Sequence, residues 1–470
     1  MSGLFSSLGS SVDALGAHSR AIETTGKNLA NVNNPAYARQ RVIFGDRGSI
    51  ETPGGTESMG LQALGLMQIR DGLLDQQVLR EVALSAAYLA EQQGFQRAQA
   101  GLGQSVTGSG AISGVSSTTD NGIAAALDDF FNAFHNLASH PTDTGQRQAL
   151  IQSASILTDR VQLADRRLAQ VQSDLGAQVA NDVSDANRIL QTIADLNAQI
   201  GRAEINHPGG AVDLRDQRQA ALEQLAARLP IEIRDSTASE IKVVVKDGGG
   251  ADVLLVDGST VNGTVALSGT QITGGVPVTV LALNGGSIQG ALGARDGAVQ
   301  TIRDNLDQLA NQLVTSVNAA YNPGGTTGDF FNAAGITAGT IAKAAGVTAT
   351  TLKASDGGPA GDNTVALAIA ALASQQFSIA GGDEIDGTFM GHFAKSVSDL
   401  GQALSGANAR VHNQSSIETL VRTQRDGVSG VSLDEELADL LKYQRAFQAS
   451  SRVFSIIDEL LDTVVNRMGV

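Results

Sequence analysis

The side chains that could carry acid–base, metal or nucleophilic chemistry in this chain are six histidines and forty-eight carboxylates, with no cysteine. The lack of thiols removes disulfide frameworks, thiolate metal sites and cysteine nucleophiles together. The histidines are His18, His135, His140, His207, His392 and His412. Only His135 and His140 are close, and they lack the glutamate and the spacing with which H-E-x-x-H sets two imidazoles and a general base on one helix face. Asp383-Glu384-Asp386 and Asp434-Glu435-Glu436 have the composition of acid–base groups, but the second opens a helix, where carboxylates favour the dipole. Glycine runs such as Gly101-Leu102-Gly103 and Gly108-Ser109-Gly110 follow no strand, keep no G-x-G-x-x-G spacing and lead to no Walker lysine. No calcium loop of D-x-[DN]-x-[DN]-G form is present. These residues assign no catalytic side chain, no metal ligand and no cofactor, and they point away from an enzyme.

The patterned residues are apolar and lie at the two ends. Leu8, Leu15, Ile22 and Leu29 recur every seven positions, and so do Leu433, Leu440, Phe447, Phe454, Leu461 and Met468. Such stripes belong to helices that bury a seam of coiled-coil type. Each needs a partner: the other terminus, or the termini of identical neighbours. Residues 4–33 and 433–468 are the expected spans. The first ends at Asn33-Asn34-Pro35, because the residue before proline is pushed out of the helical region, and Ser432 with Glu435 has the form of a capping box. Residues 1–41 hold four basic and two acidic side chains, residues 431–470 four basic and seven acidic, a weak complementarity.

Between the ends, helical spacing is read over 71–100, from Asp128-Asp129 to Pro141, over 146–206, over 214–229, from Ile302 to Val317 and over 388–424. The period becomes alternating between 231 and 290, with Asp247-Gly248, Asp257-Gly258 and Asn284-Gly285 as turn signals. The expected fold is α+β, mainly α, with long coiled-coil helices from both termini and the centre and a small inserted antiparallel β-domain. Its expected divisions are 1–42 with 428–470, 43–230 with 291–427, and 231–290. With 4% aromatics, no Trp and 54 Gly in 470 residues, a large enzyme core is not indicated. A net charge of −16 repels nucleic acid. No apolar run reaches the roughly 20 residues of a bilayer span, and the first twenty residues do not have the form of a cleaved signal.

From Asn28-Leu29-Ala30-Asn31-Val32-Asn33-Asn34-Pro35 to Ala36-Tyr37-Ala38-Arg39-Gln40, the chain resembles the N-terminal signature of the bacterial flagellar rod, hook and hook-associated axial proteins. Ala36 stands where that signature commonly has glycine. Asp129-Phe130-Phe131 with Pro141 and Arg147-Gln148-Ala149-Leu150-Ile151, then Asp213-Leu214-Arg215-Asp216-Gln217-Arg218, resemble the hook-associated protein 1 branch of that family. So do Gly328-Asp329-Phe330-Phe331, Gly361-Asp362-Asn363, and Ser429 to Glu436 running into Tyr443-Gln444-Arg445. The resemblance implies an extracellular structural subunit joining hook to filament, exported by the flagellar type III route without signal cleavage. It implies a ring of identical subunits, with hook protein below, a second junction protein above and an export chaperone on the C-terminal helix, and neither nucleic acid nor membrane insertion. The terminal helices would form the inner tube and the β-domain the outer face. Asn28, Asn31, Asn33, Pro35 and Tyr37 would join the two stripes in the assembly interface, the asparagines either bonding between subunits or fraying the helix end. A hook or distal rod protein would lack the helical pair over 146–229. A secreted coiled-coil scaffold or adhesin would have its termini ordered within one chain.

Overall fold

The computed structural model describes residues 2–463 except 47, 53–54, 59, 104–121, 236, 238, 326–327 and 360. Met468 and the glycine-rich stretch from 104 to 114 lie outside the described residues. Helix α1 (Ser2–Ala30) leads through the Pro35 stop into β1 (Gln40–Asp46), which pairs antiparallel with β4 (Leu61–Gln68). Between them in sequence, β2 (Ser49–Thr52) pairs with β3 (Gly55–Ser58). Helices α2 (Gly72–Leu102), α3 (Ile123–Ser139), the sixty-residue α4 (Thr144–Ala203) and α5 (Val212–Ala226) follow. Strands β5 (Glu232–Asp235), β6 (Ile241–Lys246), β7 (Asp252–Asp257) and β8 (Thr260–Val261) form one antiparallel sheet in that order. In a second sheet β10 (Gln271–Gly274) lies between β9 (Ala266–Ser268) and β11 (Thr279–Val280). A π-helical turn, Ala294–Val299, joins α6 (Ser287–Gly293) to α7 (Gln300–Tyr321), and α8 (Thr364–Ala371), α9 (Phe389–Ser429) and α10 (Leu433–Asp462) complete the order. The mainly α architecture with small antiparallel sheets matches the class read from periodicity.

Contacts sort the chain into two compact units, residues 1–85, 183–286 and 414–470, and residues 86–182 and 287–413. The first holds the terminal helices and the β-module. Asparagines on α4 stand in for strand edges there. Asn187 exchanges both amide bonds with the backbone of Val265, each at 2.8 Å. The fully buried Asn197 donates to Ile241 O at 3.1 Å and Gly258 O at 2.8 Å, and accepts from Arg218 Nη1 at 2.8 Å. Buried backbone carbonyls at a sheet margin need such donors. Asp257-Gly258 turns β7 into β8 with Gly258 at φ 54, a left-handed conformation that favours glycine. Asn284-Gly285, read from sequence as a hairpin turn, instead leads into α6. There a Cβ on Gly286 would lie 2.1 Å from Arg228 O, and the Gly286 N–H donates to Ala83 O at 2.7 Å, so the residue serves close backbone approach rather than strand reversal.

The second unit gathers much of the scarce aromatic content. Phe130, Phe131, Phe134, Phe330, Phe331, Phe377, Phe389 and Tyr321 form a chain of ring contacts with centroids 4.8–5.8 Å apart. The two Asp-Phe-Phe runs thus meet, Phe130 lying 5.8 Å from Phe330 and 5.7 Å from Phe331. Helix α3 starts at Ile123, not at Asp128 as the carboxylates suggested. Ile123, Ala126 and Leu127 are buried, and that apolar first turn places the acids one turn further in.

Candidate functional site

The terminal helices pack antiparallel to each other, since Asn28 meets Glu436 while Phe44 bridges His18 and Tyr443 with ring centroids 6.2 and 6.0 Å away. The tightest line on α1 is Ala17, Ala21, Thr24 and Asn28, all buried. Their small side chains let α10 approach closely, while Leu8, Leu15, Ile22 and Leu29 sit half-buried beside that line. On α10 Glu436 and Leu461 are buried, and Leu440, Tyr443 and Phe454 are half-buried. Leu433 keeps 51% of its surface and Phe447 37%, so the seven-residue stripe winds from the open side of α10 toward α1.

A polar cluster locks the base of this pair. Asn28 donates from Nδ2 to Gln40 O and to Glu436 Oε2, both at 2.9 Å. Its Oδ1 accepts from Tyr37 Oη at 2.8 Å and from the Gln40 N–H at 3.0 Å. All of its amide capacity is therefore used inside one chain. Arg39 donates from Nε to the buried Glu436 at 2.6 Å and from Nη1 to Glu435 at 2.5 Å, with Asp439 at 3.5 Å. This corrects the capping box: Ser432 makes no side-chain cap bond, and Glu435 turns to Arg39, because a charge-assisted bond to guanidinium is stronger than one to a backbone amide.

Helix α5 fastens the same loop from behind. Asp216 accepts the Ala38 N–H at 3.2 Å and Arg70 Nη2 at 2.7 Å, while Arg70 Nη1 reaches Asp75 at 3.1 Å. Two buried carboxylates thus share one guanidinium, and Asp216 Oδ2 and Asp75 Oδ1 have no hydrogen-bond partner among the described residues. Burial outweighs the Arg70 bonds and pushes the Asp216 carboxyl up to about 6, and it raises Asp75 as well. Burial, with Asp216, Asp213 and Glu436 nearby, raises the Tyr37 hydroxyl above its ordinary range. Arg425 closes the circuit, donating to Pro35 O and Glu223 Oε1, each at 2.8 Å. At the far side of α5 the buried Glu204 is drawn down to about 2: burial would raise it, but bonds from Arg215, Ser239 and the Ala211 N–H win.

Of the residues singled out in the sequence, Asn28, Pro35 and Tyr37 lie in this cluster. Asn31 bonds back to Lys27 O at 3.0 Å and Asn33 is exposed. Arg39, Arg70, Asp216, Arg425 and Glu436 carry most of its charge, and sequence reasoning named none of them as site residues. The opposite charge balance of the two ends was the available signal. The cluster holds no nucleophile beside a base, and among the described residues no group of three or more His, Asp or Glu could hold a metal ion. Its chemistry is that of a fixed joint.

The family model described as flagellar hook-associated protein FlgK helical domain matches residues 110–331, and the flagellar basal body rod FlgEFG protein C-terminal model matches residues 426–468. The flagellar hook-associated protein 1 of Bacillus subtilis (strain 168) is 25% identical over 524 residues, covering 100% of this chain and 99% of that protein. That of Escherichia coli (strain K12) is 24% identical over 264 residues, 55% of this chain and 43% of its own length. The flagellar hook junction protein FlgK from Burkholderia pseudomallei, a solved structure, aligns at 20% identity and a TM-score of 0.45 over 55% of this chain and 46% of its own. With one relative matched end to end and two flagellar models placed on the central helices and the last helix, the chain is similar along its whole length to the flagellar hook-associated protein 1 family.

Proposed function

We propose that this chain is a structural subunit of the bacterial flagellum that joins hook to filament, adding as a ring of identical copies through its terminal helices. The family is structural rather than enzymatic. The observation that carries the reading is the α1–α10 pair, held at its base by the Arg39–Glu436 joint and still presenting leucines outward on α10. In this reading residues 1–42 and 428–470 form the axial domain, the helices over 43–230 and 291–427 the layer around it, and 231–290 the outer module. Hook protein and a second junction protein would flank the ring, an export chaperone would bind α10 before assembly, and export would need no cleaved signal. Among the described residues no helix is long and apolar enough to cross a membrane.

A scaffold or adhesin is the rival that the intramolecular pairing of α1 with α10 favours, because it too has ordered termini; full-length likeness to a hook-associated protein weighs against it. The test is deletion and complementation in the source bacterium. Cells without the chain should carry hooks but no filaments, and motility should return with the full chain and not with one ending before Leu433. Normal filaments in the deletion strain would overturn the reading.

A further inference from the structure

The β1–β4 hairpin has one face on α1 and another whose apolar side chains are exposed. Strand alternation sends Val42 and Phe44 to the α1 side, where Val42 is buried, and sends Arg41, Ile43 and Gly45 to the other. The register sets Arg41 opposite Met67 and Ile43 opposite Gly65. Leu64 folds across Gly45, where a Cβ would lie 2.3 Å from Leu64 Cδ1. Ile43, Leu64 and Met67 therefore form an open apolar face, with 40, 52 and 46% of their surfaces exposed, and Arg41 beside it. In the same unit, the N-terminal half of α10 exposes Leu433, Leu437 and Leu441 at 51, 49 and 57%. These are four residues apart and so form one stripe, about 12 Å long at 1.5 Å per residue. Asp434 is exposed next to it.

We infer that the outer face of the β1–β4 hairpin receives the Leu433–Leu437–Leu441 stripe of a second copy of this chain. Both surfaces are apolar and exposed. Arg41 lines a cleft with Asp439 and Tyr443 of its own α10 without an ion pair among the described residues, and it would meet the exposed Asp434 of the second copy. Two different patches meeting make a head-to-tail contact, which builds rings or helical stacks rather than a closed dimer. The inference rests on the ring reading above and names the surfaces used.

The absence of cysteine makes a clean test. The double variants I43C/L437C and M67C/L441C would replace the chain in the source bacterium, and purified flagella would be oxidised and run on a non-reducing gel. A ladder of multimers from either variant is the expected result. A variant that enters flagella yet stays monomeric on oxidation in both designs overturns this pairing while leaving the structural reading standing. If both cysteine variants are excluded from flagella, the swap decides: Arg41→Asp and Asp434→Arg should each reduce incorporation and together restore it, and lack of restoration overturns the pairing. Absence of the wild-type chain from flagella overturns both.

Discussion

Replacing Glu436 by Gln should loosen the joint at the base of the terminal helices far more than the same change at its neighbour Glu435. Glu436 is 2% exposed and accepts two bonds, from Arg39 Nε at 2.6 Å and Asn28 Nδ2 at 2.9 Å. Glutamine keeps one acceptor and turns the other oxygen into a donor facing a donor. A bond to a charged group contributes about 1.5–3 kcal/mol, and an orphaned buried group costs about 1–3 kcal/mol. Arg39 retains Glu435 at 2.5 Å and Asp439 at 3.5 Å, which keeps the loss below the roughly 3–5 kcal/mol of an abandoned buried charge. The expected cost is about 2–4 kcal/mol. Glu435 has 63% of its side chain in solvent, and exposed pairs contribute about 0–1 kcal/mol, so Glu435→Gln should cost less than about 1 kcal/mol. With two compact units, a single unfolding free energy would mix events. Hydrogen exchange at the Gln40 amide, which donates to Asn28 at 3.0 Å, reads local opening of this joint. Equal effects of the two substitutions at that amide would refute the reasoning.

Asp216 titrates near 6 in the fold against an ordinary 3.8, so the folded chain binds more protons between those values and this carboxyl makes stability fall as pH rises from about 4 to 6. The ceiling is about 3 kcal/mol; Asp216→Asn should flatten that slope in pH-dependent denaturation, and an unchanged slope would contradict the assignment. Glu204 acts with the opposite sign: its folded value of about 2 lies below an ordinary 4.5, so its stabilisation is present above pH 4.5 and lost as pH falls toward 2, and Glu204→Gln should weaken the fold at pH 7 but not at pH 2. Phe330→Ala, in the ring cluster of the second unit, should cost about 3–5 kcal/mol, measured by loss of near-ultraviolet circular dichroism at lower denaturant. Asn197→Leu removes the donor to Ile241 O and Gly258 O and one of the two acceptors of Arg218 Nη1, which keeps Ser239 O. Proteolysis should then release 231–286 at protease concentrations that leave the parent chain intact.

The elements readable in the sequence were those whose own residues carry the period. Helix α4 spans Thr144–Ala203, close to the 146–206 read from Leu157, Val161 and Leu168, because a long apolar stripe needs no knowledge of what covers it. Helix α3 shows the limit: Asp128 and Asp129 suit a helix start, yet the buried Ile123 and Leu127 begin the helix earlier for the sake of a distant phenylalanine cluster. The joint is only half legible for the same reason. Asn28, Pro35 and Tyr37 stand out locally, but Glu436 is 408 positions from Asn28, and nothing near Glu436 marks it as buried rather than as one more acid at a helix start. Ser432 and Glu435 fulfil a local capping rule that a tertiary arginine overrides.

The most direct test of the account is to locate the chain in intact flagella, by gold labelling of an epitope inserted at Gly248–Gly249 between β6 and β7 and electron microscopy of cells with hooks and filaments attached. The account predicts a narrow band of label where hook meets filament and nowhere else. Label spread along the filament, confined to the cell body, or absent from flagella while the tagged chain is expressed would contradict it.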